Sequence, residues 1–429
     1  MNENGSRTLP GHTFEGTNFE GSLPRRRSGE HKRSEPLGDH EQNGDLGVEA
    51  VPSLADSSLT ATPADGGTVS STSDIPSVPA SEPSTGTDWW TSRADAARTG
   101  FAPTTTGPMD RVRSRWRWTA GPVTSAPAVA AGIVFVGGED GRIYALDTTD
   151  GVERWAFDAR GQVTATPTVV DGTVYVGAHD ERVYALDVED GRDRWQFRGT
   201  GKVEAALGVM NDQVYAVCHG GQVLALSTTD GSRQTAFQTG SKAASALTAV
   251  DGTVYLSNLD GGVSARDVTG GRERWRFAPE VGVYATPVVA NDTVYVGTVD
   301  DGRVYALNRV TGAKTWEFRT GAAVWSSVAV GGETLYVGSD DGCIYALDAR
   351  NGTSRWSVQT GAQVWSSPAV TADTVYVGNH AGQVYALDRN DGAIRWSFKT
   401  SDAVTGSPAV VDGTVYVTDE SGTVYALSE

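Results

Sequence analysis

The sequence predicts an all-β fold: an eight-bladed β-propeller of four-stranded blades, closed by an N-terminal strand and preceded by a disordered tail. Three observations carry this. The run Val-Tyr-Ala-Leu-Asp, or a close variant, recurs with its second residue at Tyr144, Tyr184, Leu224, Ser264, Tyr305, Tyr345, Tyr385 and Tyr425, at intervals of 40 or 41 residues. A fixed period of about 40 marks a propeller or a solenoid. Each period holds four short β-type runs between turn residues, with no helical period among them. The last period stops at Glu429 without its fourth run, whereas a matching run, Arg115-Trp116-Arg117-Trp118, stands alone before the first.

Residues 1–87 are rich in Ser, Thr, Pro, Gly, Asp and Glu and poor in large apolar side chains. Such a segment cannot bury enough surface to offset the entropy of ordering, so a disordered tail is expected. Its cluster Arg25-Arg26-Arg27 is followed by polar residues rather than the apolar run of a secretion signal. That points to the cytoplasm, with export left open. Residues 88–112 read as a lead-in that packs on the propeller, and residues 113–429 as the propeller itself.

Within one period, Gln162 to Phe197, the runs are VTATPTVV, TVYVG, RVYALD and RWQF. Asp171-Gly172 between the first two is a two-residue hairpin signal, because both central positions need positive φ; Asp251-Gly252 and Asp412-Gly413 repeat it. The inner runs are nearly continuously apolar, as expected of sheets covered on both faces by neighbouring blades. An open ring would expose a sheet edge. Arg113–Thr119 has the form of Arg194-Trp195-Gln196-Phe197, so it is expected to form the outer strand of the eighth blade and join the two ends of the chain.

Composition narrows the function. Asp and Glu number 53 against 35 Lys and Arg, giving a net charge of −18. Only five of the basic residues are lysines. An acidic, lysine-poor surface suits high salt and disfavours nucleic acid or an anionic membrane as partner. No apolar run reaches the roughly 18 residues of a membrane span. Cys218 and Cys343 are too far apart in sequence for a metal-type pair or a disulfide framework.

The segment Ala145-Leu146-Asp147-Thr148-Thr149-Asp150-Gly151-Val152-Glu153-Arg154-Trp155 resembles the tryptophan-docking motif of pyrroloquinoline-quinone (PQQ) repeats, and Thr311-Gly312 with Trp316 matches at the same spacing. The lead-in Trp90…Asp95-Ala96-Ala97-Arg98-Thr99-Gly100 is similar to the segment that precedes such propellers. The resemblance covers about 113–429 and implies eight blades whose tryptophans stack between neighbours. In that role it places Trp116, Trp118, Trp155, Trp195, Trp275, Trp316, Trp356 and Trp396; Thr235 replaces the tryptophan of the third unit. The family includes quinoprotein alcohol dehydrogenases, BamB-type assembly scaffolds and sensor domains attached to kinases. Its dehydrogenases carry an adjacent-cysteine disulfide over the cofactor and Glu, Asn and Asp ligands for calcium. The cysteines here are 125 positions apart, so neither PQQ nor calcium is expected.

Three histidines, His179, His219 and His380, share one place in their units, in the turn after the second strand. Equivalent turns of neighbouring blades are expected on the order of 10 Å apart, since strands step about 4.8 Å outward. Zinc ligands must approach to about 2.0–2.1 Å, so a shared metal would require distortion. Glu139, Asp340 and Glu420 recur in the same turns and read as solvated acids. The repeats disagree most in the innermost strand, where one position reads Thr124, Thr164, Glu204, Ala244, Tyr284, Trp325, Trp365, Thr405. Tyr284, Trp325 and Trp365 thus form an aromatic arc over three consecutive blades, with Glu204 across the channel. The arc either fills the channel mouth or offers a platform for a protein, peptide or glycan ligand. With no nucleophile triad, phosphate loop or paired carboxylates in view, the expectation is a monomeric, non-enzymatic binding scaffold or sensor module. A quinoprotein dehydrogenase and a BamB-type assembly factor are the alternatives.

Overall fold

A computed structural model describes residues 7–9, 12–14, 89, 93–95, 98–119, 121–123, 125–240, 245–258 and 261–429. Arg7–Leu9 and His12–Phe14 pair as a short antiparallel hairpin. The rest of the tail expected to be disordered lies outside the described residues, as do Trp90, Ala96, Ala97, Thr124 and Ala244.

Eight four-stranded antiparallel sheets follow one another along the chain, each running from an innermost to an outermost strand. Blade 1 comprises Ala128–Ala130, Ile133–Gly137, Arg142–Asp147 and Glu153–Asp158. Blades 2 to 7 span 168–198, 208–238, 248–277, 288–319, 329–359 and 369–399. Blade 8 takes Ala409–Val411, Thr414–Thr418 and Thr423–Ser428 from the end of the chain and Arg113–Thr119 from its beginning. The innermost strands of blades 8 and 1 abut, as do those of neighbouring blades elsewhere, and the ring closes.

The closing strand copies the register of the others. Trp116 lies opposite Ala426 as Trp155 lies opposite Ala145, and both ladders carry an irregularity beside that pair. The second strand of blade 2 is buried at all five residues, while its outermost strand alternates around a buried Trp195. That contrast explains why the inner runs are apolar on both sides: neighbouring blades cover both faces, and only the outermost strand meets water. Asp171, Gly172, Asp251, Gly252, Asp412 and Gly413 all have positive φ, the conformation the tight hairpins require.

Blades interlock through their tryptophans. The indole N–H groups of Trp116, Trp155, Trp195, Trp275, Trp316 and Trp356 donate to the carbonyls of Thr148, Val188, Thr228, Arg309, Ala349 and Arg389, each in the turn before the outermost strand of the next blade, at 2.8–3.1 Å. In blade 3 the Thr235 hydroxyl donates to the equivalent Thr269 carbonyl, and the Phe237 ring covers Gly271 where an indole would lie. Trp118 takes another place: it packs edge-on against Tyr144 at 4.8 Å, as Phe157 does against Tyr184. It therefore stands in the phenylalanine position, on the same strand face as the docking residue but two residues farther along.

Trp396 has no such turn to meet, since the outermost strand of blade 8 comes from the beginning of the chain and no turn joins it to the third. The lead-in supplies the missing acceptor, and the Trp396 indole donates to the Pro108 carbonyl at 2.8 Å. From there the lead-in straps the inner strands. Trp89 pairs with Val129 of blade 1, Thr99 accepts from Val330 of blade 6, and Gly100 and Ala102 pair with Val370 of blade 7. The buried Arg98 reaches the carbonyls of Ala206, Leu207 and Leu247 in blades 3 and 4.

Candidate functional site

The turns between second and third strands fold back over the start of their own blades. The backbone N–H groups of Glu139, His179, His219, Val299, Asp340, His380 and Glu420 donate to the carbonyls of Pro122, Gln162, Lys202, Gly282, Ala323, Gln363 and Ala403. Two residues beyond each acceptor stands the variable position, which the structure places in the segment leading into the innermost strand and not in the strand itself: Tyr284, Trp325 and Trp365 precede Val288–Ala290, Ala329–Gly331 and Ala369–Val370. Two tiers of side chains therefore meet at one mouth of the channel. The strap binds farther along the innermost strands, toward the other end.

Blades 5 to 7 hold the aromatic arc, and it is continuous. Tyr284 and Trp325 lie 5.2 Å apart between ring centroids, Trp325 and Trp365 5.5 Å, and all are partly exposed. His380 extends the series, edge-on to Trp365 at 4.1 Å. Asp340 ties it together: its carboxylate accepts the Trp325 indole N–H at 3.2 Å through one oxygen and the Trp365 indole N–H at 2.5 Å through the other. Asp340 is thus a partly buried acceptor, not the solvated acid its turn position suggests. Two indoles bring their only polar atoms to one carboxylate, which neither position discloses alone. Glu420 keeps the exposed place expected of it.

Blades 2 and 3 hold a polar counterpart. Glu204 stands between two imidazoles, with His219 Nδ1 3.1 Å from one oxygen and His179 Nε2 3.4 Å from the other. His179 Nε2 also lies 3.2 Å from the Thr164 hydroxyl. The separation expected of the two turns is bridged by the carboxylate from the strand between them. Burial pushes the His179 pKa below its ordinary 6.5, against the pull of Glu204, and burial does the same to His380 against Glu420 and Asp340. Among the described residues, no group of three His, Cys, Asp or Glu side chains is disposed to hold a metal ion. His380 remains with the aromatic arc and apart from the other two histidines.

The polar contacts of both arcs follow one rule. The contacts join residues 15 apart within a blade, as in Thr164 to His179, Glu204 to His219 and Trp325 to Asp340. They join residues 25 apart between blades, as in Asp340 to Trp365. Glu204 in blade 3 and Trp365 in blade 7 stand half the ring apart and do not touch. The missed residue is Asp340; its signal was its alignment with His179, His219 and His380 in the repeat.

The sequence matches the family described as outer membrane protein assembly factor BamB over residues 77–318 and 300–429. The chain belongs to this family. No curated protein sequence matches it. Among solved structures it is similar to BamB from Moraxella catarrhalis, with 18% identity and a TM-score of 0.63 over 74% of this chain and 100% of that one. It is also similar to the quinohemoprotein alcohol dehydrogenase from Comamonas testosteroni, with 16% identity and a TM-score of 0.68 over 79% and 80% of the two chains. A europium-containing methanol dehydrogenase gives 14% identity and 0.69 over 81% and 99%. At these identities the BamB-like propeller is shared by assembly factors and quinoproteins, and fold by itself does not choose between them. Among the described residues no helix is long and apolar enough to cross a membrane.

Proposed function

We propose that this BamB-family propeller is a non-enzymatic scaffold that holds a protein or peptide partner at its channel mouth. The observation that carries the reading is the arc of Tyr284, Trp325, Trp365 and His380, partly exposed and confined to one side of the ring. Repeats keep packing positions alike. An aromatic cluster confined to three of eight blades therefore has a cause outside the fold, and clustered Trp and Tyr with exposed surface are common anchors of interfaces. The test is capture of partners from native lysate at high salt by the wild-type chain and by a Trp325→Ala, Trp365→Ala pair. Equal capture by the two refutes the reading.

The residues present do not fit a quinone cofactor with calcium as the family resemblance describes it. Cys218 and Cys343 are both free and lie in different blades, so no disulfide platform forms. The carboxylate of Glu204 is already taken up between two imidazoles. Titration with PQQ and Ca²⁺ tests this, since a stoichiometric complex that oxidises alcohols overturns it. We also propose that the acidic, lysine-poor surface is an adaptation to high salt, where carboxylates keep a protein hydrated. A melting midpoint that does not rise from low to molar KCl refutes that.

A further inference from the structure

Taking the mouth as the binding surface, we propose that its ligand presents a cation: the guanidinium of an arginine carried by a partner peptide, seated over Tyr284, Trp325 and Trp365. The faces of aromatic rings attract cations through their quadrupole, most strongly for tryptophan. Asp340 strengthens this. It accepts the N–H of both indoles, and an anion at the N–H edge drives electron density toward the ring face.

The charges around the arc have the same sign. Asp300 accepts from the Gly282 backbone N–H beside the Tyr284 ring, and Glu420 and Asp340 both act on His380. Among the described residues of the two tiers none is Lys or Arg, whereas Glu139, Glu204, Asp340 and Glu420 are acids. An anion would meet four carboxylates there. A glycan would look for hydrogen-bond donors, and both indole N–H groups are already given to Asp340.

Lys202, Arg93 and Arg98, among the described residues, do not oppose this. Lys202 acts on His179, across the ring. Arg93 and Arg98 belong to the strap, donate to backbone carbonyls of the inner strands and have Asp95 as their counter-charge. The strap occupies the other end, so a ligand reaches the arc from the mouth. Guanidinium suits the site better than ammonium, because it is planar, stacks on aromatic faces and gives up its hydration more readily.

The experiment is calorimetric titration of the full chain with acetyl-Gly-Arg-Gly-amide and with the same peptide carrying citrulline, which keeps the shape and loses the charge. It is run at the lowest salt at which the melting temperature is unchanged. The arginine peptide is expected to bind at least about tenfold more tightly than the citrulline peptide. Trp325→Leu with Trp365→Leu should remove most of that preference. Asp340→Asn, which keeps both rings, should reduce it several-fold. Equal binding of the two peptides, or no saturable binding of the arginine peptide, overturns the cation. If equal binding is also lost in the leucine pair, the mouth remains the binding surface. If the arginine peptide binds the leucine pair as tightly as the wild type, it does not bind at the mouth and the cation proposal falls. Equal capture of partners by the wild type and the Trp325→Ala, Trp365→Ala pair is what refutes the mouth as a binding surface.

Discussion

Gly191 allows the interlocking of blades to be measured. Its φ is +70°, and a Cβ built there would lie 2.6 Å from two atoms of the Trp155 indole, which docks on it from the neighbouring blade. Gly191→Ala therefore carries three costs. A left-handed conformation costs an L-residue about 1–2 kcal/mol. Overpacking against a well-seated ring adds about 1–3 kcal/mol. Displacing the indole weakens its bond to the Val188 carbonyl, which is 3.0 Å long and worth about 1 kcal/mol. The sum is about 3–6 kcal/mol. Gly252 supplies the control, because its φ is +67° and nothing lies within 4 Å of its built Cβ. Gly252→Ala carries the conformational cost alone, about 1–2 kcal/mol. With about 2 °C of melting midpoint per kcal/mol for a chain of this size, the expected drops are about 6–12 °C and about 2–4 °C. Both variants are compared with the wild type by scanning calorimetry in one buffer. Equal drops would refute the interlock as a source of stability.

Other outcomes follow from the same geometry. Deleting residues 1–119 removes the outermost strand of blade 8, the strap and the acceptor of Trp396; cooperative unfolding should be lost, and a truncated chain that melts sharply at the wild-type temperature contradicts the closure. Thr235→Trp should not stabilise blade 3, since Phe237 already covers Gly271; overpacking should lower stability by about 1–3 kcal/mol, and a raised midpoint argues otherwise. Burial holds His179 and His380 below their ordinary 6.5, so the unfolded chain takes up protons that the fold refuses. Stability is then full above that value and declines as pH falls below it. His380→Gln should flatten the decline between about pH 7.5 and 5.5, and an unchanged slope in thermal melts refutes the assignment. The arginine pairs of Asp147, Asp187, Asp348 and Asp388 hold these carboxyls below 3.8, so their contribution is kept through that range and lost only at lower pH.

The sequence by itself determined the blade. Its period, its four β-type runs and the Asp-Gly hairpins are local properties that repeat, and repetition makes them readable without a structure. It also determined the closure, because a missing strand at one end and a spare one at the other have a single economical pairing. Tyr284, Trp325 and Trp365 stood out for the opposite reason, as departures from the repeat. Tertiary structure alone decided what surrounds them. Asp340 binds both indoles, Glu204 bridges His179 and His219, and Pro108 answers Trp396. Those partners come from different blades or from the far end of the chain, and their meeting depends on side-chain reach across the ring. A linear period of about 40 residues orders the strands, but it carries no record of which side chains converge on the axis they share.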